Sequence, residues 1–351
     1  MHQLLSRAIN KQQGAALLLI MMIVIITGSS LVLATANYQN RRQAEQLNTL
    51  QDMYYAKEAL IAYAIQHDDN YPGQGPGRLP CPDTDNDGEA ETACNDTVEQ
   101  YLGRLPEFVT LPSGSRYNIS DTNAGIDQQF WYAVTPAFHM TGTLAKLNTT
   151  TNPFFTIDSV GDADGDAYND TVAVIFAPGE AIDGQTRVSN DADDYLENGN
   201  EEGINFVRNN AADAANFNDQ IVTITRSEII SASALKTAIE IKNLLDNYYY
   251  AGSTISFFGC WFTYDLNIYP YTYTKAADPC VEETAQQRFE STLTSASSWF
   301  DDEDWDQLDI TYTFLSPSSA TITFEDCNIR FTISLNEGIS RDRKNCNDPD
   351  P

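Results

Sequence analysis

The chain has 351 residues and carries 50 acidic against 20 basic side chains, which gives a net charge of −30. Such an acidic protein is repelled by phosphate backbones and by anionic membrane surfaces, so nucleic acid is not expected as a partner. The acidic excess fits either cation binding or a solvated surface in salt water. At this length the chain can form one large domain or two modest ones with real cores.

The N-terminus combines a short basic leader with a long apolar stretch. Arg7 and Lys11 precede Gly14, and no charged residue follows until Arg41. Residues 15–36 would form about 33 Å of helix, which is enough to cross the apolar core of a bilayer. The sequence therefore predicts a transmembrane helix over residues 15–36.

Residues 37–67 continue the helical pattern without Pro or Gly. Apolar side chains recur there at spacings of three, four and seven, at Leu47, Leu50, Tyr54, Ile61 and Ile65. This spacing is typical of an amphipathic helix whose apolar stripe faces a globular domain. We therefore predict one long helix, with a membrane half and an amphipathic half.

This arrangement resembles the N-terminus of type IV prepilins and type II secretion pseudopilins. The resemblance implies that a prepilin peptidase cuts between Gly14 and Ala15, and that the apolar helix then packs among other pilins in a filament. These families usually carry Phe or Met at the first mature position and Glu at the fifth, where this chain has Ala15 and Leu19. The missing glutamate is typical of the large minor pseudopilin at the type II secretion tip, and many minor pilins also vary there.

An ordinary secretory signal peptide is the alternative for the same residues. Ala34-Thr35-Ala36 is an A-x-A cleavage site, and residues 15–27 would form its apolar region. The mature protein would then begin at Asn37, whereas cleavage by the prepilin peptidase makes Ala15 the first residue.

An acidic loop follows the predicted long helix. Aspartates at alternate positions followed by Gly88 give the D-x-D-x-D-G spacing of an EF-hand-type calcium loop, although Cys94 stands where a bidentate Glu belongs. The predicted Ca²⁺ ligands are Asp83, Asp85, Asp87 and Glu91. An acidic turn built on side-chain hydrogen bonds to the backbone is the alternative.

A second acidic loop has a related pattern. Its predicted Ca²⁺ ligands are Asp162, Asp164, Asp166 and Asp170. They match the first, third, fifth and ninth ligand positions, but Gly165 comes two residues early for an EF-hand. The resemblance supports the same ion, because the large minor pseudopilin of type II secretion tips binds calcium.

All the cysteines lie beyond the apolar segment. Six cysteines on one side of a membrane anchor predict disulfides in an oxidising compartment, and 15 pairings are possible. We favour nearest-neighbour pairing, namely Cys81 with Cys94, Cys260 with Cys280, and Cys327 with Cys346. Zinc is not expected, because the chain has no C-x-x-C and its three histidines are far apart.

Shorter patterns complete the prediction of secondary structure. Strands are predicted over residues 129–134, 171–176 and 220–225, and a C-terminal antiparallel meander over 308–314, 319–324 and 328–334. A second helix is predicted over 233–250, with one apolar side formed by Leu235, Ile239, Ile241, Leu244 and Leu245. The predicted fold class is therefore α+β, with the long N-terminal helix packed on an antiparallel β-sheet and an enlarged, disulfide-braced head.

The predicted organisation has five parts. They are a leader (1–14), a transmembrane or filament-core helix (15–36), its amphipathic continuation (37–67), a first head region with the acidic loops (68–225) and a second with a helix and the β-meander (226–351). No enzyme is predicted, because the chain has no nucleophile motif, no H-E-x-x-H and no phosphate-binding glycine loop.

The resemblance implies a minor pilin or pseudopilin placed at or near a filament tip. The protein is expected to sit in the bacterial inner membrane with one span and a periplasmic head, and then to enter a type IV pilus or a type II secretion pseudopilus at the cell surface. Its expected partners are other pilins, which contact its N-terminal helix, and the prepilin peptidase. A secreted or surface-anchored binding protein, such as an adhesin with exposed aromatic residues, is the main alternative, and a secreted hydrolase is the third.

Overall fold

The structure is a computed structural model. It describes residues 2–71, 73–94, 101–120, 129–140, 146–159, 168–182, 185–187, 189, 191–197, 199–208, 217–250, 299, 302–303, 305, 310–316, 319–334 and 338–342. Within these ranges, residues 2–20, 28, 30–37, 39, 159, 168–169, 244–250, 312–314 and 316 are described by their backbone alone.

The chain divides into two compact units, Met1–Asp52 and Met53–Pro351. The first unit consists of the larger part of helix α1, which runs over His2–Ile65. The last turns of α1 belong to the second unit, which we call the head. A single turn of helix, α2 (His67–Asn70), follows directly and is followed in turn by a loop that contains Gly73, Gly75 and Gly77.

The larger sheet of the head has six strands. They are β1 (Leu102–Arg104), β4 (Trp131–Val134), β5 (Phe155–Ser159), β6 (Tyr168–Ala177), β7 (Asn205–Arg208) and β8 (Gln220–Thr225). The order is β1-β4-β6-β5-β7, with β8 also paired to β6, and all pairs are antiparallel except β5 with β7. Residues 172–176 of β6 are fully buried, as their continuous apolar run predicts.

The smaller sheet is an antiparallel meander of four strands, one more than the three that were predicted. Its strands are β9 (Ile310–Ser316), β10 (Ser319–Phe324), β11 (Ile329–Ser334) and β12 (Gly338–Arg341), in the order β12-β11-β10-β9. Ile329, Phe331 and Ile333 are buried and alternate with half-buried residues, so the period-two pattern of β11 sets its inward face. A separate hairpin pairs β2 (Phe108–Thr110) with β3 (Arg116–Asn118).

The second long helix, α3 (Arg226–Tyr250), begins seven residues before its predicted start. Thr225 Oγ1 accepts the backbone N–H of Glu228 at 3.2 Å, and Glu228 Oε2 accepts the backbone N–H of Thr225 at 2.9 Å. This is a capping box, which satisfies two backbone donors at the helix N-terminus. The segment Thr225-Arg226-Ser227-Glu228 carries that signal in the sequence, and the sequence prediction missed it.

The predicted fold class is wrong. The described head is mostly β-structure, and no long N-terminal helix lies on a sheet in the described residues. The helix that packs against the sheets is α3, which contacts β6, β8 and β11. In the head, α1 contributes only its last turns, where Lys57 Nζ donates to the Thr223 carbonyl at 2.8 Å and Tyr63 lies edge-on to Tyr117.

The predicted apolar stripe of α1 is also wrong, because the helix buries a different face. Leu47 is 67% exposed and Tyr54 is 51% exposed, whereas Met53 and Leu60 are fully buried. The buried face also includes Ala56, Tyr63 and Ala64. Small residues allow the neighbouring chain to approach α1 closely, as the 2.7 Å hydrogen bond from Gly77 N to Ala64 O shows.

Helix α3 departs from its predicted stripe in the same way. Leu235 and Ile239 are 37% and 40% exposed, and of the predicted residues with described side chains only Ile241 is buried. The buried face is formed mainly by small side chains and two isoleucines, namely Ile229, Ile230, Ser233, Ala234, Thr237 and Ala238. Small residues therefore form most of the packed face of α3, whereas in α1 they lie beside larger buried side chains.

The membrane prediction concerns residues whose side chains lie mostly outside the described part. Within the part of the chain that the structure describes, no helical stretch combines the length and the hydropathy of a membrane span. The transmembrane role of residues 15–36 stays a prediction.

Candidate functional site

An open cavity of about 320 Å³ lies in the head, beside the first acidic loop. Strands β1 and β4 pair with Arg104 opposite Trp131, and both side chains line it. Two further residues of β1, Leu102 and Gly103, also line it. The rest of the lining comes from the acidic loop and from two 3₁₀ turns, Ala192–Asp194 with its N-cap residue and Asn200–Glu202, and comprises Asp83, Thr84, Asp191, Ala192, Asp193 and Glu201. The site is therefore mainly polar and acidic.

Asp83 organises the acidic loop. Its carboxylate accepts the backbone N–H groups of Asn86 at 2.6 Å, Gly88 at 2.8 Å and Asp87 at 3.3 Å. Asn86 and Gly88 adopt positive φ angles of 62° and 88°, which the tight turn requires. Burial raises the pKa of Asp83 above its ordinary value, whereas the three N–H groups lower it.

Two sets of bonds anchor the loop. Cys81 and Cys94 form the disulfide that nearest-neighbour pairing predicts, with Cα atoms 5.7 Å apart. Asp83 and Arg104 exchange backbone hydrogen bonds of 3.0 and 2.7 Å, which connect the loop to β1. The loop is therefore closed at its ends by the disulfide and held against the floor of the cavity.

Three of the four predicted ligands of this loop come together. One carboxylate oxygen each of Asp83, Asp85 and Glu91 lies within 4.8 Å of the others. Glu91 is held in place because Thr84 Oγ1 donates to its Oε1 at 2.6 Å. Asp87 is not in this group, and its Oδ1 instead accepts the N–H of Glu89 at 2.8 Å.

These carboxylates have the hard oxygen chemistry that Ca²⁺ prefers, but three oxygens are fewer than the six to eight it takes. Backbone carbonyls or water must supply the others. The hydrogen bonds of Asp83 equally match the alternative, an acidic turn held by its own backbone donors.

The second predicted calcium loop lies mostly outside the described residues, which include only one of its four ligands. Asp162, Asp164 and Asp166 are outside them. Asp170 is buried, and its Oδ2 accepts the Ser227 N–H at 3.5 Å, near the start of α3.

The other predicted residues are tested only in part. Cys327 is buried, and Cys260, Cys280 and Cys346 lie outside the described residues, so their pairing stays a prediction. His139 lies close to Cys81 and Cys94, but their sulfurs are bonded to each other and do not form a zinc site with it. Gly14 and Ala15 lie in the helical backbone of α1, where nothing is described of their side chains.

Arg104 is the main residue that the sequence prediction missed. It is 4% exposed, and its guanidinium carbon lies 4.1 Å from the ring centroid of Trp131 and 4.1 Å from that of Tyr195. Burial lowers the pKa of Arg104, and Tyr195 and Asp83 oppose that shift. Nε of Arg104 and Nε1 of Trp131 are buried donors without an acceptor among the described residues. In the sequence, Arg104 could have been noticed as an isolated arginine within the apolar segment 101–105.

A second buried arginine holds the head together. Nε and Nη2 of Arg78 lie 3.0 and 2.6 Å from Glu303 Oε1, and both side chains are at least 95% shielded from solvent. The other oxygen of Glu303 accepts the Leu147 N–H at 2.6 Å. Because the partners are 225 residues apart in the chain, this ion pair joins distant parts of the head.

Part of the N-terminal helix presents apolar residues to solvent. Six consecutive side chains are each 52–65% exposed, namely Met21, Met22, Ile23, Val24, Ile25 and Ile26. Consecutive residues point to all sides of a helix, so the apolar surface here surrounds it. The hydroxyls of Thr27 and Ser29 donate to the carbonyls of Ile23 and Ile25, at 2.8 and 2.6 Å.

No protein-family model, no curated protein and no solved structure matches this chain at a significant level. A functional proposal for it therefore rests on its own residues.

Proposed function

We propose that the protein is a minor subunit of a pilus-type filament, either a type IV pilus or a type II secretion pseudopilus. Before assembly, α1 anchors it in the inner membrane after cleavage between Gly14 and Ala15. In the filament, the same apolar helix packs among the helices of other subunits. The head faces outward.

The apolar surface of residues 21–26 carries this proposal. An exposed surface of six large apolar side chains is costly in water, at about 25 cal/mol for each Å². Because the apolar surface surrounds the helix, one partner helix covers only part of it. A bilayer or a bundle of several helices covers all of it.

The polar side chains next to this surface also fit a helix that lies in a bilayer or in a helix bundle. In a bilayer or a helix bundle, hydroxyl groups need partners inside the protein, since water is absent. Thr27 and Ser29 meet that need within α1 by donating to carbonyls four residues earlier.

We place the subunit at or near the tip of the filament. The head extends over residues 53–351 as one compact unit, and so large a head would crowd a repeating lattice. Leu19 stands where shaft subunits usually carry the glutamate that pairs with a neighbour's N-terminal amine, so the usual docking beneath another subunit is missing.

Photocrosslinking in the native bacterium tests the proposal. A benzoylphenylalanine at Val24 is expected to give a covalent adduct with another filament subunit, while the same residue at the exposed Glu202 of the head provides the control. Deleting the gene is expected to impair piliation or type II secretion. If Val24 gives no subunit adduct and the deletion leaves both processes normal, the proposal is wrong.

The alternative is a secreted or surface-anchored binding protein whose signal peptide ends at Ala36. The cavity beside Arg104 is the observation that favours it, because a ligand site serves an adhesin directly. The aromatic-rich segment 248–273 lies outside the described residues apart from the backbone of its first three residues. The mature N-terminus separates the two functions.

A further inference from the structure

We propose that Asp219 and Glu197 form a proton-dependent latch, in which one proton on Asp219 holds the connection between β6 and β7 against the start of β8. Strand β6 ends at Ala177 and β7 begins at Asn205, so this connection is residues 178–204. The inference is independent of the filament proposal, because it concerns the head alone.

Reciprocal hydrogen bonds place the two carboxyl groups side by side. Glu197 N donates to Asp219 Oδ2 at 3.1 Å, and Asn218 N donates to Glu197 Oε2 at 3.2 Å. Each side chain therefore lies against the backbone of the other segment, and the two carboxyl groups are within hydrogen-bonding reach of each other. Such a pair attracts when it holds one proton and repels when it holds none.

The pattern of donors assigns the proton to Oδ1 of Asp219. Both oxygens of Glu197 already accept, Oε1 from Gln185 Nε2 at 2.7 Å and Oε2 from Asn218 N. Asp219 Oδ2 accepts from Glu197 N and from Asn200 Nδ2, whereas Oδ1 has no donor among the described residues. A proton on Oδ1 therefore breaks no existing hydrogen bond, and it gives Asp219 a donor for the Glu197 carboxylate.

No positive charge compensates the pair within the described residues. Asp219 is buried, and no described basic side chain bonds to its carboxyl group or to that of Glu197. Arg187 is the basic residue of this connection, and its Nη1 donates to the Gly179 carbonyl at 2.6 Å. Two ionised carboxylates would therefore repel each other at a buried position, and burial and Glu197 raise the pKa of Asp219 to about 8.

The other groups that face Asp219 are uncharged. Asn200 is buried, and its amide also bonds the backbone of β7, since Nδ2 donates to the Val207 carbonyl at 3.3 Å and Oδ1 accepts the Val207 N–H at 2.7 Å. The charge on the pair therefore changes chiefly with the proton of Asp219.

Loss of this proton is expected to open the connection. When hydroxide removes the proton from Oδ1 and becomes water, Asp219 no longer donates to Glu197, and the two charges repel. Glu197 is half-buried and moves towards solvent, away from Gln185. Gln185 Oε1 also accepts from Arg187 Nη2 at 3.1 Å, so the contacts of Arg187 loosen as well. The described parts of the connection form 3₁₀ turns and no strand, and such a segment opens at lower cost than the sheets.

Trypsin cleavage of the folded, full-length chain in detergent tests the latch. Cleavage after Arg187 reports opening of the connection, and cleavage after Arg330 in β11 reports unfolding of the smaller sheet. Mass spectrometry measures both rates at pH 7 and pH 9, each divided by the rate for an unstructured peptide at the same pH. We expect cleavage after Arg187 to be about ten-fold faster at pH 9 than at pH 7, and much faster than cleavage after Arg330.

Two isosteric variants locate the proton. In Asp219→Asn the amide nitrogen replaces the protonated Oδ1 and donates to Glu197 at every pH, so the rate after Arg187 is expected to change by less than about two-fold between pH 7 and 9. In Glu197→Gln one acceptor oxygen is lost, which leaves Gln185 Nε2 or Asn218 N without its acceptor. This variant is expected to be cleaved after Arg187 at least about five-fold faster than wild type at pH 7.

The exposed variant Glu202→Gln is the matched control and is expected to keep the wild-type response to pH. Equal normalised rates at pH 7 and pH 9 in wild type would overturn the latch, and so would a ten-fold response that persists in Asp219→Asn. Cleavage after Arg187 no faster than after Arg330 would show that the whole head unfolds instead. If Glu197→Gln is cleaved as slowly as Asp219→Asn, the proton is not on Asp219.

Discussion

At the scale of single residues, Asp219 combines deep burial with an incomplete set of partners. It is 3% exposed, and its Oδ2 accepts from Asn200 Nδ2 at 3.0 Å and from Glu197 N at 3.1 Å. Its Oδ1 has no partner among the described residues. Burial, followed by the nearby charge of Glu197, raises the pKa of Asp219 to about 8.

This shift predicts that the head loses stability as the pH rises. In the folded protein Asp219 keeps its proton up to about pH 8, whereas in the unfolded chain it loses it near pH 4. The stabilisation is therefore fully present below about pH 4 and lost as the pH rises through about 8. The free energy of unfolding falls by up to about 1.4 kcal/mol for each pH unit in that window, and Asp219→Asn removes this dependence. Thermal unfolding midpoints of both proteins from pH 4 to 9 measure it.

A histidine contributes pH dependence of the opposite sign. Burial lowers the pKa of His67 to about 4, so its stabilisation is present above about pH 6.5 and lost as the pH falls. The difference between wild type and Asp219→Asn cancels this contribution, because both proteins contain His67. Glu202→Gln serves as an exposed control. Parallel midpoint curves for wild type and Asp219→Asn would contradict the assignment.

At the scale of elements, the acidic loop and its disulfide form a unit whose calcium binding can be tested. Three carboxylates converge on a loop that is closed by Cys81–Cys94 and attached to β1. Because these like charges repel one another, a divalent cation between them would stabilise the loop. We therefore keep calcium as a proposal for this loop.

Calcium is expected to raise the thermal midpoint of the head by several degrees relative to chelator, since an ion that binds the folded state stabilises it. The double variant Asp85→Asn/Glu91→Gln is expected to lose most of this shift. Glu89→Gln, a charge change in the same loop outside the carboxylate group, is expected to keep it. No midpoint shift with calcium in wild type would favour the acidic turn held by backbone hydrogen bonds.

The two long helices show why sequence periodicity alone predicted the wrong buried faces. The prediction placed the largest apolar residues inward, but α3 buries a face rich in alanine, serine and threonine, and α1 buries Ala56 and Ala64 beside larger residues other than the predicted ones. Close approach of neighbouring segments selects small residues, and a hydrophobicity pattern does not represent that constraint. The start of α3 could have been predicted, by contrast, because its capping box joins Thr225 and Glu228, which lie close together in the sequence.

At the scale of the whole molecule, local patterns predicted strands better than architecture. Residues 220–225 and 319–324 form β8 and β10 with the predicted bounds. The position of α1 relative to a sheet depended on contacts far apart in the chain and was predicted wrongly. The six-stranded sheet includes β7, a strand without a strong apolar run that pairs in parallel with β5.

In the candidate site too, features within one short segment were predictable from the sequence, whereas features that join distant segments were not. The disulfide and the grouping of Asp83, Asp85 and Glu91 come from segments close in sequence, and their spacing was informative. The cavity joins that loop to Arg104, Trp131 and a 3₁₀ turn about 60 residues further on. No spacing rule connects those residues, because β1, β4 and β6 bring them together through long-range pairing.

The filament function requires that the apolar part of α1 remains in the mature protein, and the N-terminal sequence of protein purified from the native bacterium tests this requirement. We expect a mature chain that begins at Ala15 and is recovered with membranes or filaments. A chain that begins at Asn37 and is recovered as a soluble secreted protein would contradict it, because residues 21–26 would then be absent.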